Sequence, residues 1–264
     1  MLYRVDSLPQ TGKNPINGRK FDERWIVFQL TDSVAYRLLV GSQKNGVYSI
    51  CASRVCCPEW HRAGGDFVSF HTAMNKNMLL VMNAQEQAEM EQRYVGHVYN
   101  EPLRDYEPKV LVHSTTTESW QQIQSDGMLK SWNRLSKERI LREAQPIGSH
   151  LGDPIDFSDY IMFGGGVHSE IVVMSRQKGK ITMNPQAEYE PGARLYFDFE
   201  RIAADGLLVR DGAHMKVREM LPLKPYLLWA ATMDTVGMPG KKSTPEQFSK
   251  VADTIFEEKF EVKL

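Results

Sequence analysis

No sign of charge dominates this sequence. Its 264 residues hold 32 Lys and Arg against 33 Asp and Glu, a formal net charge of −1. A binder that holds nucleic acid through a general basic field is excluded, so any RNA or DNA contact has to come from a local patch. Cysteine is scarce: there are three, two of them the adjacent Cys56 and Cys57, which makes a poor disulfide framework. A reducing, intracellular setting, cytoplasmic or nuclear, is expected. Long apolar runs are missing too. The opening MLYRVDSLPQ contains no stretch of signal-peptide length. The strongest run, Met78–Met82, is far short of a membrane span. No membrane partner is expected, and there is no internal repeat or low-complexity tract.

What is present is core material. Apolar residues make up 42% and aromatic residues 10%, more than a disordered chain carries. Pro102, Pro108 and the charges between them break the periodicity, which divides the chain into residues 1–105 and 106–264. In the first part, Trp25–Leu30, Tyr36–Val40, Val47–Cys51, Phe67–Phe70 and Met78–Met82 read as short strands. An Asn45-Gly46 pair joins the second and third of these as a hairpin. A Gln- and Glu-rich helix is expected over Ala84–Tyr94. This part reads as a small, strand-rich α+β domain.

The second part opens with a strand, Lys109–His113, followed by a helix that Thr115 and Glu118 would close with a capping box and Gly127 would end. A further helix is expected at Lys137–Glu143, and strands at Glu170–Met174, Leu195–Phe199 and Gly206–Arg210. A last helix starts at Ser243-Thr244-Pro245-Glu246, with Phe248, Val251, Ala252, Ile255 and Phe256 on one stripe that docks on the body.

The segment richest in chemistry is Val110-Leu111-Val112-His113-Ser114-Thr115, which leads into that first capped helix. A histidine at the end of a strand can turn its ring into a cleft and exchange hydrogen bonds with a ribose hydroxyl. The adjoining helix N-terminus offers N–H groups to a phosphate. The same histidine could instead satisfy only its own turn.

His113-Ser114-Thr115, with Gly127-Met128-Leu129 closing the helix, resembles the cofactor signature of the ADP-ribosyltransferase superfamily. There a strand ends His-Gly-Ser or His-Gly-Thr and a helix ends Gly-Leu. Ser114 stands where glycine is usual. Downstream, Arg194-Leu195-Tyr196-Phe197-Asp198-Phe199, Ala204-Asp205-Gly206, Leu208-Val209-Arg210 and Leu221-Pro222 to Tyr226-Leu227 follow in an order similar to the RNA 2′-phosphotransferase family. Arg142 to His150 is loosely similar to a further element of that family. The resemblance covers about residues 109–228.

The resemblance implies a split β-sheet domain that binds NAD, with nicotinamide released as an RNA 2′-phosphate, or another acceptor, joins ADP-ribose. It places His113 on the adenosine-side ribose, Ser114 or Thr115 at the nicotinamide amide, and Arg142 and Arg210 on phosphate charge. Tyr160, just before Gly164-Gly165-Gly166, could stack on nicotinamide. Such enzymes often use a glutamate on a later strand. Glu200, two residues from Asp198 and so on the same strand face, is the first candidate and Glu170 the second. No metal is required.

The family's N-terminal RNA-binding domain carries an Arg-His pair in a winged-helix-like setting. Residues 1–105 have only His61-Arg62, in reversed order. Transfer of ADP-ribose to a protein or nucleic-acid acceptor is therefore one alternative, and a non-catalytic module that binds a nucleotide or a partner is another. Cys51, Cys56, Cys57 and His61 raise zinc, but vicinal cysteines do not easily both ligate, and buried thiols are the default. His150, Asp153, His168 and Glu170 carry a third reading, a metal-dependent hydrolase, although they form no compact motif.

Overall fold

The computed structural model describes all residues except 10, 35–38, 45, 95, 97, 99, 141–144 and 239. The chain is mixed α and β with several small sheets, as expected of an α+β protein. It forms two compact units: Met1–Tyr99 with Gly152–Pro154 and Val209–Met215, and the remainder. The two short segments from the second half that join unit 1 have no counterpart in the sequence division.

Unit 1 is built on β1 (Leu2–Val5), β2 (Trp25–Thr31), β3 (Leu39–Lys44), β4 (Val47–Ser53), α1 (Trp60–Ala73), β5 (Asn77–Val81) and α2 (Ala84–Arg93). Its five strands lie in the order β1-β5-β2-β4-β3. The pairs β1–β5, β5–β2 and β2–β4 are parallel, and β3–β4 is the expected antiparallel hairpin. β2 is apolar almost throughout because both of its faces are covered. Ile26, Phe28 and Leu30 meet Trp60, Ala63 and Phe67 of α1. Trp25 and Val27 pack with Val47, Leu79, Tyr3 and Phe21 on the other face.

Phe67–Phe70 is not a strand but the middle of α1, where Trp60, Ala63, Gly64, Phe67 and His71 are buried at helical spacing. A four-residue apolar run does not by itself separate the two periods. Tyr36, Arg37 and Leu38 of the expected second strand lie outside the described residues.

Unit 2 runs β6 (Val110–Thr115), α3 (Thr117–Asp126), β7 (Met128–Lys130), α4 (Trp132–Lys137), β8 (Tyr160–Met162), α5 (His168–Lys178), β9 (Ala193–Asp198) and α6 (Phe199–Ala204). β10 (Leu208–Arg210), β11 (Met215–Arg218), β12 (Met220–Pro222), a short turn α7 (Leu223–Tyr226), β13 (Leu227–Ala231) and α8 (Pro245–Phe260) follow. The hairpin tip between β10 and β11 falls in unit 1. In unit 2, β13-β9-β6 form one antiparallel sheet, β11 pairs with β8 and β12 with β7. A single bridge, Val112↔Gly164, links the segment after β8 to β6. The α8 stripe docks as expected: Phe248, Ala252 and Phe256 pack on Val110, Val112, Tyr196 and Ala231.

Several local expectations are corrected. Thr115 is the last residue of β6, paired with Ala193. The cap is Thr116, whose side chain accepts from the Ser119 N–H at 3.2 Å. α4 ends where the expected helix Lys137–Glu143 begins, and residues 141–143 lie outside the described residues. Glu170–Met174 is part of helix α5, which Gly179 ends in the left-handed conformation, φ 63°. Glu200 is exposed in the first turn of α6, and Asp198 is that helix's cap, accepting from Arg201 N–H at 3.0 Å. The two carboxylates therefore do not share a strand face.

Candidate functional site

β6 carries the site. Alternation along a strand sends successive side chains to opposite faces. Val110 and Val112 point to the α8 side with Tyr196. His113 lies on the other face, edge-on to Phe163 with ring centroids 6.2 Å apart, and Phe163 in turn packs on Phe197.

The His113 Nδ1 is 3.0 Å from the carbonyl oxygen of Met162. A carbonyl only accepts, so Nδ1 carries the hydrogen and Nε2 presents a lone pair. Burial pushes the His113 pKa down. The Met162 carbonyl opposes that shift, and the nearby positive charge of Arg176 adds to it. The ring is thus neutral at pH 7 and can accept a hydrogen bond from a hydroxyl. The sequence offered no signal for Arg176, whose place near His113 depends on α5 being a helix.

Ser114, standing where the related signature has glycine, turns away from His113. Its hydroxyl donates to Glu170 Oε1. Tyr189 donates to Oε2 at 2.5 Å, and Arg194 Nη1 lies 3.4 Å from Oε1. Arg194 is opposite Ser114 in the β6–β9 pairing and is fully buried. It makes a bidentate pair with Asp253 of α8 at 2.8 and 3.0 Å and donates to Ser169 Oγ at 2.7 Å. Tyr196 also donates to Asp253, at 2.8 Å.

Burial pushes the Glu170 carboxyl upward, against the pull of Arg194 and the two hydroxyl donors. Both Glu170 oxygens are engaged, so this glutamate clamps α5 to β6 and β9. Just before β9, a Cβ on Gly192 would stand 2.1 Å from the Thr115 carbonyl oxygen. Only glycine lets the chain pass there.

Tyr160 is half-buried at the start of β8. Lys216, opposite Met162 in β11, sets its ammonium over the Tyr160 ring at 4.6 Å and the Phe157 ring at 4.8 Å. The preceding 3-10 turn, Ile155–Asp159, buries Asp156, and neither carboxylate oxygen has a hydrogen-bond partner among the described residues. Past β8, Gly164 donates its N–H to the Val112 carbonyl at 2.9 Å, and a Cβ on Gly165 or Gly166 would meet open space.

Of the residues singled out in the sequence, His113, Ser114, Thr115 and Tyr160 lie in unit 2 on β6 and β8. Arg210 is buried and belongs to unit 1, and Arg142 lies outside the described residues. Among the described residues no three His, Cys, Asp or Glu side chains are grouped to hold a metal ion. Asp153 falls in unit 1 and Glu170 in unit 2.

Unit 1 assembles a different cluster that the sequence did not announce. His214 Nδ1 lies 3.2 Å from both carboxylate oxygens of Asp211, and its Nε2 is 3.1 Å from the Tyr48 hydroxyl. Burial raises the Tyr48 pKa, and the charges of Asp153 and Asp211 raise it further. A Cβ on Gly41 would sit 2.3 Å from that hydroxyl.

Comparison with family models, with curated proteins and with solved structures finds no match to this chain. Among the described residues no helix is long and apolar enough to cross a membrane.

Proposed function

We propose that unit 2 is an NAD-dependent transferase domain of ADP-ribosyltransferase type, most similar to the RNA 2′-phosphotransferases. The observation that carries this reading is His113, a neutral imidazole with Nδ1 fixed on a backbone carbonyl and Nε2 left as an acceptor. That is the state needed to receive a ribose hydroxyl. Two further features support it. The Val112–Gly164 bridge lays the segment that follows β8 alongside β6, next to His113. The Ser114 hydroxyl is drawn to Glu170, so a serine in the glycine position does not crowd the His113 face.

NAD supplies an ADP-ribosyl group whose bond to nicotinamide breaks as an acceptor oxygen takes the ribose carbon. Negative charge moves during that exchange, and fixed cations stabilise it. In this reading Arg176, whose charge reaches His113, serves the charge-neutralising role that the resemblance implies for Arg142 and Arg210. Tyr160 offers an aromatic face to nicotinamide.

One observation favours a second reading, a nucleotide-binding module without turnover. Neither glutamate offered as the polarising carboxylate stands ready on a strand. Glu170 has both oxygens engaged, and Glu200 is exposed on α6.

Nicotinamide release from NAD+, with and without a 2′-phosphorylated RNA, separates these. The phosphotransferase reading expects RNA-dependent release that His113→Ala lowers at least about 100-fold. Release without that RNA, still lost in His113→Ala, points to another acceptor. NAD+ binding with no release leaves the binding module, and neither binding nor release refutes the NAD reading.

A further inference from the structure

Asp156 stands apart from comparable buried carboxylates of this protein. Glu170 receives two hydroxyls and lies against Arg194. Glu101 is held by the Arg104 guanidinium at 2.9 and 3.1 Å. Asp211 takes the backbone N–H groups of Ala213 and His214 at 3.1 and 2.8 Å, with the His214 ring beside it. Asp156 is only 4% exposed, and among the described residues no donor reaches either of its oxygens. Leaving a buried acceptor unpaired is costly, and more so when it is charged. Among the described residues those three buried acids are paired and this one is open, which points to a donor that comes from outside the chain.

The surroundings define which donor. Asp156 sits in the turn that runs straight into β8, the strand whose Met162 carbonyl fixes His113. On the same turn and strand, the rings of Phe157 and Tyr160 flank the Lys216 ammonium. A carboxylate is acceptor-only and receives two adjacent O–H groups at once, whereas it repels a phosphate. Aromatic faces suit the C–H side of a sugar.

We propose that Asp156 is the carboxylate of a ribose subsite in unit 2. Its two oxygens take the vicinal hydroxyls of a nucleotide ribose, beside the Tyr160 ring. The subsite rests on the NAD reading for the identity of its ligand, and it adds a residue to which that reading gave no role. Both oxygens are covered, so occupancy requires the Ile155–Asp159 turn to shift; Ile155 at its start is 78% exposed.

The test uses the full chain and its Asp156→Asn variant, with calorimetry for binding and thermal melting for stability. The probes are NAD+, ADP-ribose, AMP and 2′,3′-dideoxy-AMP. The variant replaces a buried carboxyl that no donor among the described residues reaches, so its melting temperature without ligand is expected to equal or exceed that of the parent. Its affinity for ADP-ribose is expected to fall at least tenfold, and the parent is expected to bind AMP at least tenfold more tightly than the dideoxy analogue.

Equal ADP-ribose binding by parent and variant overturns the subsite and leaves the NAD reading standing. AMP binding that depends on Asp156, with no NAD+ or ADP-ribose binding, sinks the NAD reading and keeps the subsite. A parent that binds none of the probes overturns both. A lower melting temperature in Asp156→Asn makes the carboxylate a structural group and also overturns the subsite.

Discussion

The two units hold themselves together by different chemistry. Unit 1 stacks apolar side chains on both faces of a largely parallel sheet, with Val27, Phe28, Leu79 and Leu80 removed from solvent. Unit 2 has smaller sheets, and part of its centre is ionic. Arg194, fully buried on β9, ties α8 through Asp253 and α5 through Ser169 and Glu170. An apolar core tolerates substitutions of similar volume. An ionic centre fixes orientation, and it is fragile when one partner is removed. Unit 2 needs orientation, because the Ser114 hydroxyl held by that network directly follows His113.

This contrast can be broken most sharply at the two centres. Arg194→Ala is expected to destabilise unit 2 by about 3–5 kcal/mol, because Glu170 and Asp253 lose their counter-charge. Phe28→Ala is expected to cost unit 1 a similar amount, about 3–5 kcal/mol, through a cavity. Denaturant unfolding across pH separates the causes. The Arg194→Ala deficit should shrink as pH falls and protons neutralise the stranded carboxylates, while the Phe28→Ala deficit should stay flat. Equal pH dependence would erase the distinction.

Gly192→Ala is the next largest. Its Cβ meets the Thr115 carbonyl and the Thr117 N–H at 2.1 and 2.5 Å, so about 1–3 kcal/mol of overpacking is expected, read as a lower denaturation midpoint. A variant as stable as the parent would show that the β6–α3 corner moves freely.

The smallest effect is on pH dependence. The folded pKa of His113 lies below its unfolded value near 6.5. The unfolded chain therefore binds the proton first as pH falls. The neutral-ring contribution is complete above about 6.5 and is lost as pH drops through the depressed folded value. His113→Gln should flatten the stability slope below about pH 6.5, and an unchanged slope would mean that His113 is not buried in the neutral form.

Unit 1 is legible in the sequence at β2, β4, β5 and α2, but not at β1 or α1. Trp25–Leu30 and Met78–Met82 are apolar because they are central strands, and Gly46 marked the hairpin. Phe67–Phe70 misled because its partners at helical spacing include Gly64 and His71, which do not register as apolar. In unit 2 the C-terminal helix could be read from its stripe and its Thr-Pro start. The Arg194–Glu170–Asp253 network could not, because it joins residues far apart in the chain through geometry that no local pattern encodes. Glu170 reads as a strand residue from the sequence alone. Its place on α5 changes it from a group free to polarise a nucleophile into one that holds Ser114. The isolation of Asp156 likewise follows from packing alone.

The central claim is that His113 is a neutral imidazole whose Nε2 receives a ribose hydroxyl. Nitrogen-15 NMR of the histidine ring tests it directly, with His113→Gln used to assign the signals. An Nδ1–H tautomer is expected at pH 7, with a shift of the His113 Nε2 resonance when NAD+ is added. A protonated ring, an Nε2–H tautomer, or an Nε2 signal unmoved by saturating NAD+ would contradict it.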